Sequence, residues 1–318
     1  MRLGGLALLV CLIPAAARAD VVFASDERGD DLRVLSSESH QVVATVPVGK
    51  RPRGLCLSPD RKTVFAALGD EDAVALVDVA SRALLRKVPV GRDPEQVAVS
   101  PDGKVIYVSN EAASTATAVE LASGRTLFVA PVGTEPEGIA VAPDGARVYV
   151  TGESTDDVTV LDARSGKVLG RLAVGARPRW VAFSPDGRRA FVTAEVGGTL
   201  SILDAPAIRL RATVPIGNGQ TKPNGVAVAP DGKRLYLAEG RGAAVSVVDL
   251  AALSVVTRIA VGERPWGVAI SPDGKRLYTA NGGSDDVSVV DTAAAKAVAR
   301  IPVGKKPYGV LYVPEPKP

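Results

Sequence analysis

A valine-glycine or isoleucine-glycine pair recurs along almost the whole chain. It stands at Val48-Gly49, Val90-Gly91, Val132-Gly133, Val174-Gly175, Ile216-Gly217, Val261-Gly262 and Val303-Gly304, at spacings of 42, 42, 42, 42, 45 and 42 residues. A Ser/Ala-Pro-Asp turn keeps step at Ser58, Ser100, Ala142, Ser184, Ala229 and Ser271. Such self-similarity constrains a fold more than composition does, because each copy must be one supersecondary unit that buries its apolar faces against its neighbours. A period near 42 admits either the four-stranded blade of a propeller or a helical solenoid repeat.

The pattern inside one copy separates the two. Val268-Ala269-Ile270 leads into Ser271-Pro272-Asp273-Gly274. Arg276-Leu277-Tyr278-Thr279-Ala280 follows, then a polar loop and Val287-Ser288-Val289-Val290-Asp291, and Ala297–Val303 completes the copy. These are short β-branched runs with frequent turn signals, and none carries a sustained apolar period of about 3.6 residues. In x-Pro-Asp-Gly, proline presets φ, aspartate suits the third turn position, and glycine accepts the left-handed conformation that follows. The aspartates closing the third run, Asp78, Asp162, Asp204, Asp249 and Asp291, are expected to start the next turn by accepting backbone N–H bonds. Glu120 and Ser36 take that place in the other two copies. The chain therefore reads as all-β: a seven-bladed β-propeller of four-stranded antiparallel blades.

Only six hairpins lie complete between the seven markers, so one blade is expected to be split across the termini. Residues 21 to 46 supply three strands (Val21–Ala24, Leu32–Leu35, Val42–Val46), and Tyr308–Val313 supplies the fourth. Pairing of the C-terminal strand with the N-terminal strands would close the ring and leave no open radial edge.

Residues 1–19 read as a cleaved secretory signal peptide: Arg2, the apolar run Leu3–Pro14, and Ala17-Arg18-Ala19 before Asp20. The run falls short of the roughly 20 residues a spanning helix needs. The expected mature chain, 20–318, is a single propeller, periplasmic or secreted, monomeric and without a membrane span. Removal of Cys11 with the leader would leave Cys56, flanked by Leu55 and Leu57, as a buried inert thiol with no disulfide partner. The formal charge of +3 falls to +1 without Arg2 and Arg18, with 36 basic against 35 acidic residues interspersed. That balance argues against nucleic acid and anionic membrane as partners. The only histidine, His40, falls before the outermost strand of the split blade. One distant histidine excludes Ser-His-Asp and Cys-His schemes and disfavours histidine-ligated haem. No C-x-x-C-H, G-x-S-x-G, phosphate-loop or zinc pattern is present.

The stretch Arg264–Asn281, RPWGVAISPDGKRLYTAN, resembles the YVTN repeat, and the resemblance covers nearly all of the mature chain. Phe23-Ala24-Ser25-Asp26-Glu27, Val108-Ser109-Asn110-Glu111 and Val192–Thr199 resemble, more narrowly, the YVTN propellers associated with pyrroloquinoline quinone (PQQ) dependent catabolism. The resemblance implies an exported accessory to quinoprotein alcohol oxidation. Its implied partner is a periplasmic quinoprotein dehydrogenase or that enzyme's cytochrome. The Gly-His and Trp-Asp signatures of WD40 repeats are missing.

In a propeller, the loops leading into each innermost strand emerge on the same face as those between second and third strands, and function tends to lie on such loops. The lead-in loops end in Pro-x-Gly or a variant, and x reads Arg53, Glu95, Glu137, Arg179, Asn224, Trp266 and Tyr308 around the ring. Four neighbouring blades thus present charges that can pair with one another or hold a polar ligand, and three present a stacking surface. An anionic quinone on Arg53 or Arg179, stacked on Trp266, is one expectation; a mouth filled by its own ion pairs is the other. The second loop set is acid-rich, with Glu27, Glu111, Glu153, Glu195 and Glu239, and oxygen ligands suit a divalent cation. Asp156-Asp157 and Asp285-Asp286 read as loop residues before third strands. Gly217–Asn224 carries three extra residues on the same face, and Trp180 occupies the repeat's glycine position, where it is expected to fill space between blades. Three functions follow: a non-catalytic binding or interaction module of a quinone-dependent system, a metal-dependent lactonase or hydrolase using the rim carboxylates, and a structural cell-envelope propeller.

Overall fold

The computed structural model describes residues 20–217 and 219–315. The proposed leader, residues 1–19, lies outside the described residues, as does Asn218. Among the described residues there are 28 strands in seven four-stranded antiparallel sheets, and no helix. Blade one comprises Pro52–Leu57, Thr63–Leu68, Ala73–Asp78 and Ala83–Pro89, and five further blades repeat that order to Lys296–Pro302. The seventh blade is split as expected. Pro307–Val313 is its innermost strand and pairs with Val21–Asp26, followed outward by Asp31–Ser36 and Val42–Pro47. The closing register sets Val21 opposite Val313, Phe23 opposite Leu311 and Ala24 opposite Val310. No described helix is long and apolar enough to cross a membrane.

The apolar core is divided into seven clusters, one between each adjacent pair of blades. Alternation along a strand sends successive side chains to opposite faces. Val21 and Phe23 therefore pack toward blade one, whereas Val22 and Ala24 pack toward blade six. A strand buried on both faces reads as a continuous apolar run, and Val21–Asp26 is buried throughout. Outer strands such as Ala83–Pro89 are largely exposed. Tyr107 and Tyr149 act as bolts between blades, donating their hydroxyls to the carbonyls of Ala163 at 2.9 Å and Ala205 at 2.7 Å.

The turns follow their residues. Gly103, Gly145, Gly187, Gly232 and Gly274 close the Pro-Asp hairpins at φ 66–73°, and Arg61 adopts the same conformation (φ 62°) where blade one has no glycine. Asp162 accepts the Ser165 N–H at 2.8 Å, and Asp291 accepts that of Ala294 at 2.9 Å. The Cys56 thiol is pushed up to about 11 by burial, which makes it a poor thiolate source at neutral pH.

Closure rests on the last strand, so its loss exposes Val21–Asp26 as an edge and removes three buried side chains, Tyr308, Val310 and Val313. Burial of each contributes about 1.5–3 kcal/mol. A chain truncated after Pro307 is expected to melt at least about 10 °C lower or to aggregate. Equal melting of truncated and full-length protein by calorimetry would contradict the closure.

Candidate functional site

Every innermost strand begins with proline, and the residue before each proline is left-handed: Arg51, Asp93, Glu135, Arg177, Lys222, Arg264 and Lys306, at φ 51–58°. This conformation is costly for residues with a Cβ, and at four of the seven an aspartate of the preceding blade holds it. Asp30 accepts the Arg51 N–H at 3.1 Å, Asp72 that of Asp93 at 3.0 Å, and Asp156 and Asp285 those of Arg177 and Lys306 at 2.8 Å. Asp156 and Asp285 are thus clamps on the next blade's lead-in loop. Second-strand hydroxyls hold the innermost strand one blade on. Ser25 donates to the Arg53 carbonyl at 2.8 Å, Ser109 to that of Glu137 at 2.5 Å, and Thr193 to that of Asn224.

These restraints bring six of the seven expected mouth residues, Arg53, Glu95, Glu137, Arg179, Trp266 and Tyr308, into one connected set, and Glu137 is its hub. One of its oxygens pairs with Arg179; the other accepts the Tyr308 hydroxyl at 3.2 Å and lies 3.8 Å from Arg53. Arg53 and Arg179 come from blades on opposite sides of the ring, yet one carboxylate serves both. Arg53 also pairs with Glu95, lies 3.6 Å from Glu27, and sits 3.9 Å from the centre of the Tyr308 ring. Arg179 reaches Glu153 at 2.7 Å and Glu195 at 2.8 Å. The Tyr308 ring lies 5.5 Å from Trp266 and 6.4 Å from Trp180. Trp180 packs on the cluster between blades four and five, as its place in the repeat implies, and reaches the mouth as well. Asn224 is buried beside Gly240.

Of the rim acids, Glu27 pairs with Lys306 at 2.6 Å, Glu153 with Arg177 and Arg179, and Glu195 with Arg179 and with Lys222 at 3.8 Å. Glu239 is not on the rim. It ends the second strand of blade five, fully buried, where Arg258 and the Ser246 hydroxyl hold it; Gly240 occupies the rim position. Sequence reading missed the residues before the prolines, Arg51, Arg177, Lys222 and Lys306, which supply much of the compensating charge. Their signal was present as a charged residue two places before each x. It also missed Gln96, which replaces the repeat's glycine in blade two as Trp180 does in blade four.

Glu111 joins Asp93 and Glu95 in the one cluster of three carboxylates among the described residues whose oxygens lie within 4.8 Å of one another. Arg51 pairs with Asp93 and lies 3.2 Å from Glu95, and Arg53 pairs with Glu95. Two guanidiniums therefore already supply the charge a divalent cation would bring. The mouth does not fit PQQ either. Its carboxylates need free cations, and Arg53 and Arg179 are both engaged by glutamates.

Burial pushes Glu95 well above the usual carboxylate range, with Arg53 opposing. Burial also moves Glu153 up to about 7 against the pull of Arg179. At Glu195 burial is outweighed by Arg179, Arg177 and Lys222, which hold it below the usual range. A raised carboxyl pKa means the folded state binds a proton that the unfolded state has released, so its contribution falls as pH rises from the unfolded value toward the folded one. For Glu153 that window runs from about 4.3 to about 7. Melting temperature is expected to decline less across this window in Glu153→Gln than in the parent. Parallel declines, measured by calorimetry, would contradict the assignment.

The fold is shared with solved structures of low identity. Hydrazine Synthase of Kuenenia stuttgartiensis superposes with a TM-score of 0.78 at 23% identity, over 86% of this chain and 92% of that one. A functionally unknown protein from Desulfotomaculum acetoxidans DSM 771 gives 0.82 at 16%, over 92% and 99%. Dihydro-heme d1 dehydrogenase NirN gives 0.68 at 18%, over 89% of this chain and 64% of that one. At such identities the likeness shows the fold alone. Comparison with curated proteins gives no match. The family model described as YNCE-like beta-propeller matches residues 5–316, and the chain belongs to that family.

Proposed function

We propose that this chain is a non-catalytic interaction propeller, exported to the periplasm, that serves PQQ-dependent alcohol oxidation as an accessory. Its partner on this reading is a quinoprotein dehydrogenase or that enzyme's cytochrome, docked on the mouth face. One observation carries the non-catalytic part: the charged groups in the mouth neutralise one another around Glu137, and both its arginines are engaged. What remains for recognition is the rigid outer surface of that face. His40 lies in a turn of the outer strands and touches none of this.

The three stretches that resemble the PQQ-associated propellers support the narrower reading, because they build this face. Ser25, Ser109 and Thr193 fix the innermost strands, and Glu27 and Glu195 neutralise its cations. Val196, in the third stretch, is 53% exposed. The longer lead-in loop of blade five lies beside it: a Cβ on Gly198 would come within 3.0 Å of the Gly219 Cα. An exposed aliphatic residue next to an inserted loop on a rigid scaffold suits a protein contact.

Capture from native periplasm with the mature protein as bait is expected to recover a quinoprotein dehydrogenase or its cytochrome, and Val196→Glu is expected to abolish that recovery at unchanged melting temperature. Recovery of the same partner by both proteins would contradict docking at this face, and recovery of neither partner class by the parent would contradict the accessory role. Titration of the mature protein with PQQ alone is expected to give no saturable binding up to about 100 μM, roughly −5.5 kcal/mol; tighter binding would overturn the internally neutralised mouth.

A further inference from the structure

On the face opposite the mouth, each first hairpin and the third-to-fourth turn of the next blade flank a groove. The pseudo-symmetry of the ring lets equivalent grooves be compared. Between blades one and two the lining charges are Asp60 and Asp102. Between blades two and three they are Asp102, Asp144 and Arg164. Between blades five and six, Asp231, Asp249 and Asp273 face Lys233 and Arg234. Between blades four and five the balance reverses: Asp186 stands alone against Arg188, Arg189 and Arg211, in a groove of about 460 Å³.

Asp186 is the one acid lining the groove and feels the charge of Arg189 and Arg188, while Asp204 nearby feels Arg209 and Arg211, so the arginines remain in excess. Asp186 accepts from the Ser184 hydroxyl at 2.6 Å and the Arg188 backbone N–H at 3.1 Å. Nearby Asp204 is held by Arg209 at 3.0 Å. Arg189 is fixed by donation to the Gly232 carbonyl at 3.2 Å, with its guanidinium 5.5 Å from the Phe191 ring. The side chains of Arg188 and Arg211 are exposed, with no ion-pair partner within 4.0 Å among the described residues.

The same groove has an apolar side. Leu250 belongs to the cluster between the two blades, and Leu253 stands at the edge, 43% exposed and left-handed at φ 52°. The same turn position is left-handed in every blade, filled by His40, Arg82, Ile208 and Ala295 at φ 48–55° and by Gly124 and Gly166 at φ 72° and 71°. The conformation therefore belongs to the turn, and what distinguishes Leu253 is an exposed aliphatic side chain at the groove edge that packs in none of the seven clusters. Arg211 and Ala212 lie on Arg209–Pro215, the outermost strand of blade four, whose free edge has backbone groups to offer.

We infer that this groove docks a short acidic segment of a partner protein, extended along Arg209–Pro215, with carboxylates on Arg188 and Arg211 and an aliphatic side chain against Leu250 and Leu253. The free strand edge selects a peptide over a small acid, because it bonds main chain. The inference concerns the face away from the mouth and does not depend on the reading above.

The probe is a fluorescein-labelled peptide alternating glutamate and leucine, followed by fluorescence anisotropy with the mature protein at low salt. Saturable binding is expected, weakened about tenfold or more by the double variant Arg188→Glu, Arg211→Glu, as for loss and reversal of complementary charge. Leu253→Gly is expected to weaken it several-fold; this variant relieves backbone strain, so unfolding cannot account for a loss. Lys233→Glu, in the neighbouring groove, should leave binding unchanged. The inference is overturned if the parent does not bind, if the arginine and leucine variants bind as the parent does, or if free citrate or an all-glutamate peptide competes as strongly as the mixed peptide.

Discussion

Closing seven sheets into a ring forces one side chain from every blade into a single opening, and that convergence governs the rest of the molecule. The second residue of each innermost strand has nowhere else to go. Four of the seven carry charge, so the opening is stable only if those charges meet opposite signs at hydrogen-bonding distance. Glu137 does this for Arg53, Arg179 and Tyr308 together.

Closure and mouth are thereby linked. Tyr308 lies on the closing strand, at the bulge between the Pro307 and Val310 pairings with Val21–Asp26, and its ring and hydroxyl meet Arg53 and Glu137. A buried ion network is weak evidence for stability, since well-packed apolar residues often do as well. Its better-attested use is to fix geometry, and here it fixes the angular positions of blades one to four relative to the closing strand. The surface loops then ride on a frame whose centre cannot rearrange without unpairing a buried charge.

Much of this was legible in the residues. The Val-Gly period, the Pro-Asp turns and the missing seventh hairpin gave blade number, strand order and the split blade, because each is local chemistry repeated at fixed spacing. The identity of the mouth residues followed from the same register. Their partners did not: Arg53 and Glu137 are 84 residues apart in sequence, and no periodicity says which of several glutamates a given arginine will meet. Glu239 is misplaced by sequence alone because Ala238-Glu239 looks like Ala194-Glu195 and Asn110-Glu111, although in blade five the second strand ends on the glutamate itself. Structure shifts it by one residue, and in a strand one residue exchanges a loop position for an interior one. The cationic groove between blades four and five was illegible because Arg188, Arg211 and Leu253 belong to three different turns or strands and two blades.

Glu137 and the arginines act as one unit across the channel. A double-mutant cycle on unfolding free energy, with Glu137→Gln, Arg179→Met and the pair, measures this directly. A coupling of about 2 kcal/mol or more is expected between two buried, hydrogen-bonded charges in contact. Effects that add to within about 0.5 kcal/mol would show independent sites, and the hub would then have no energetic meaning.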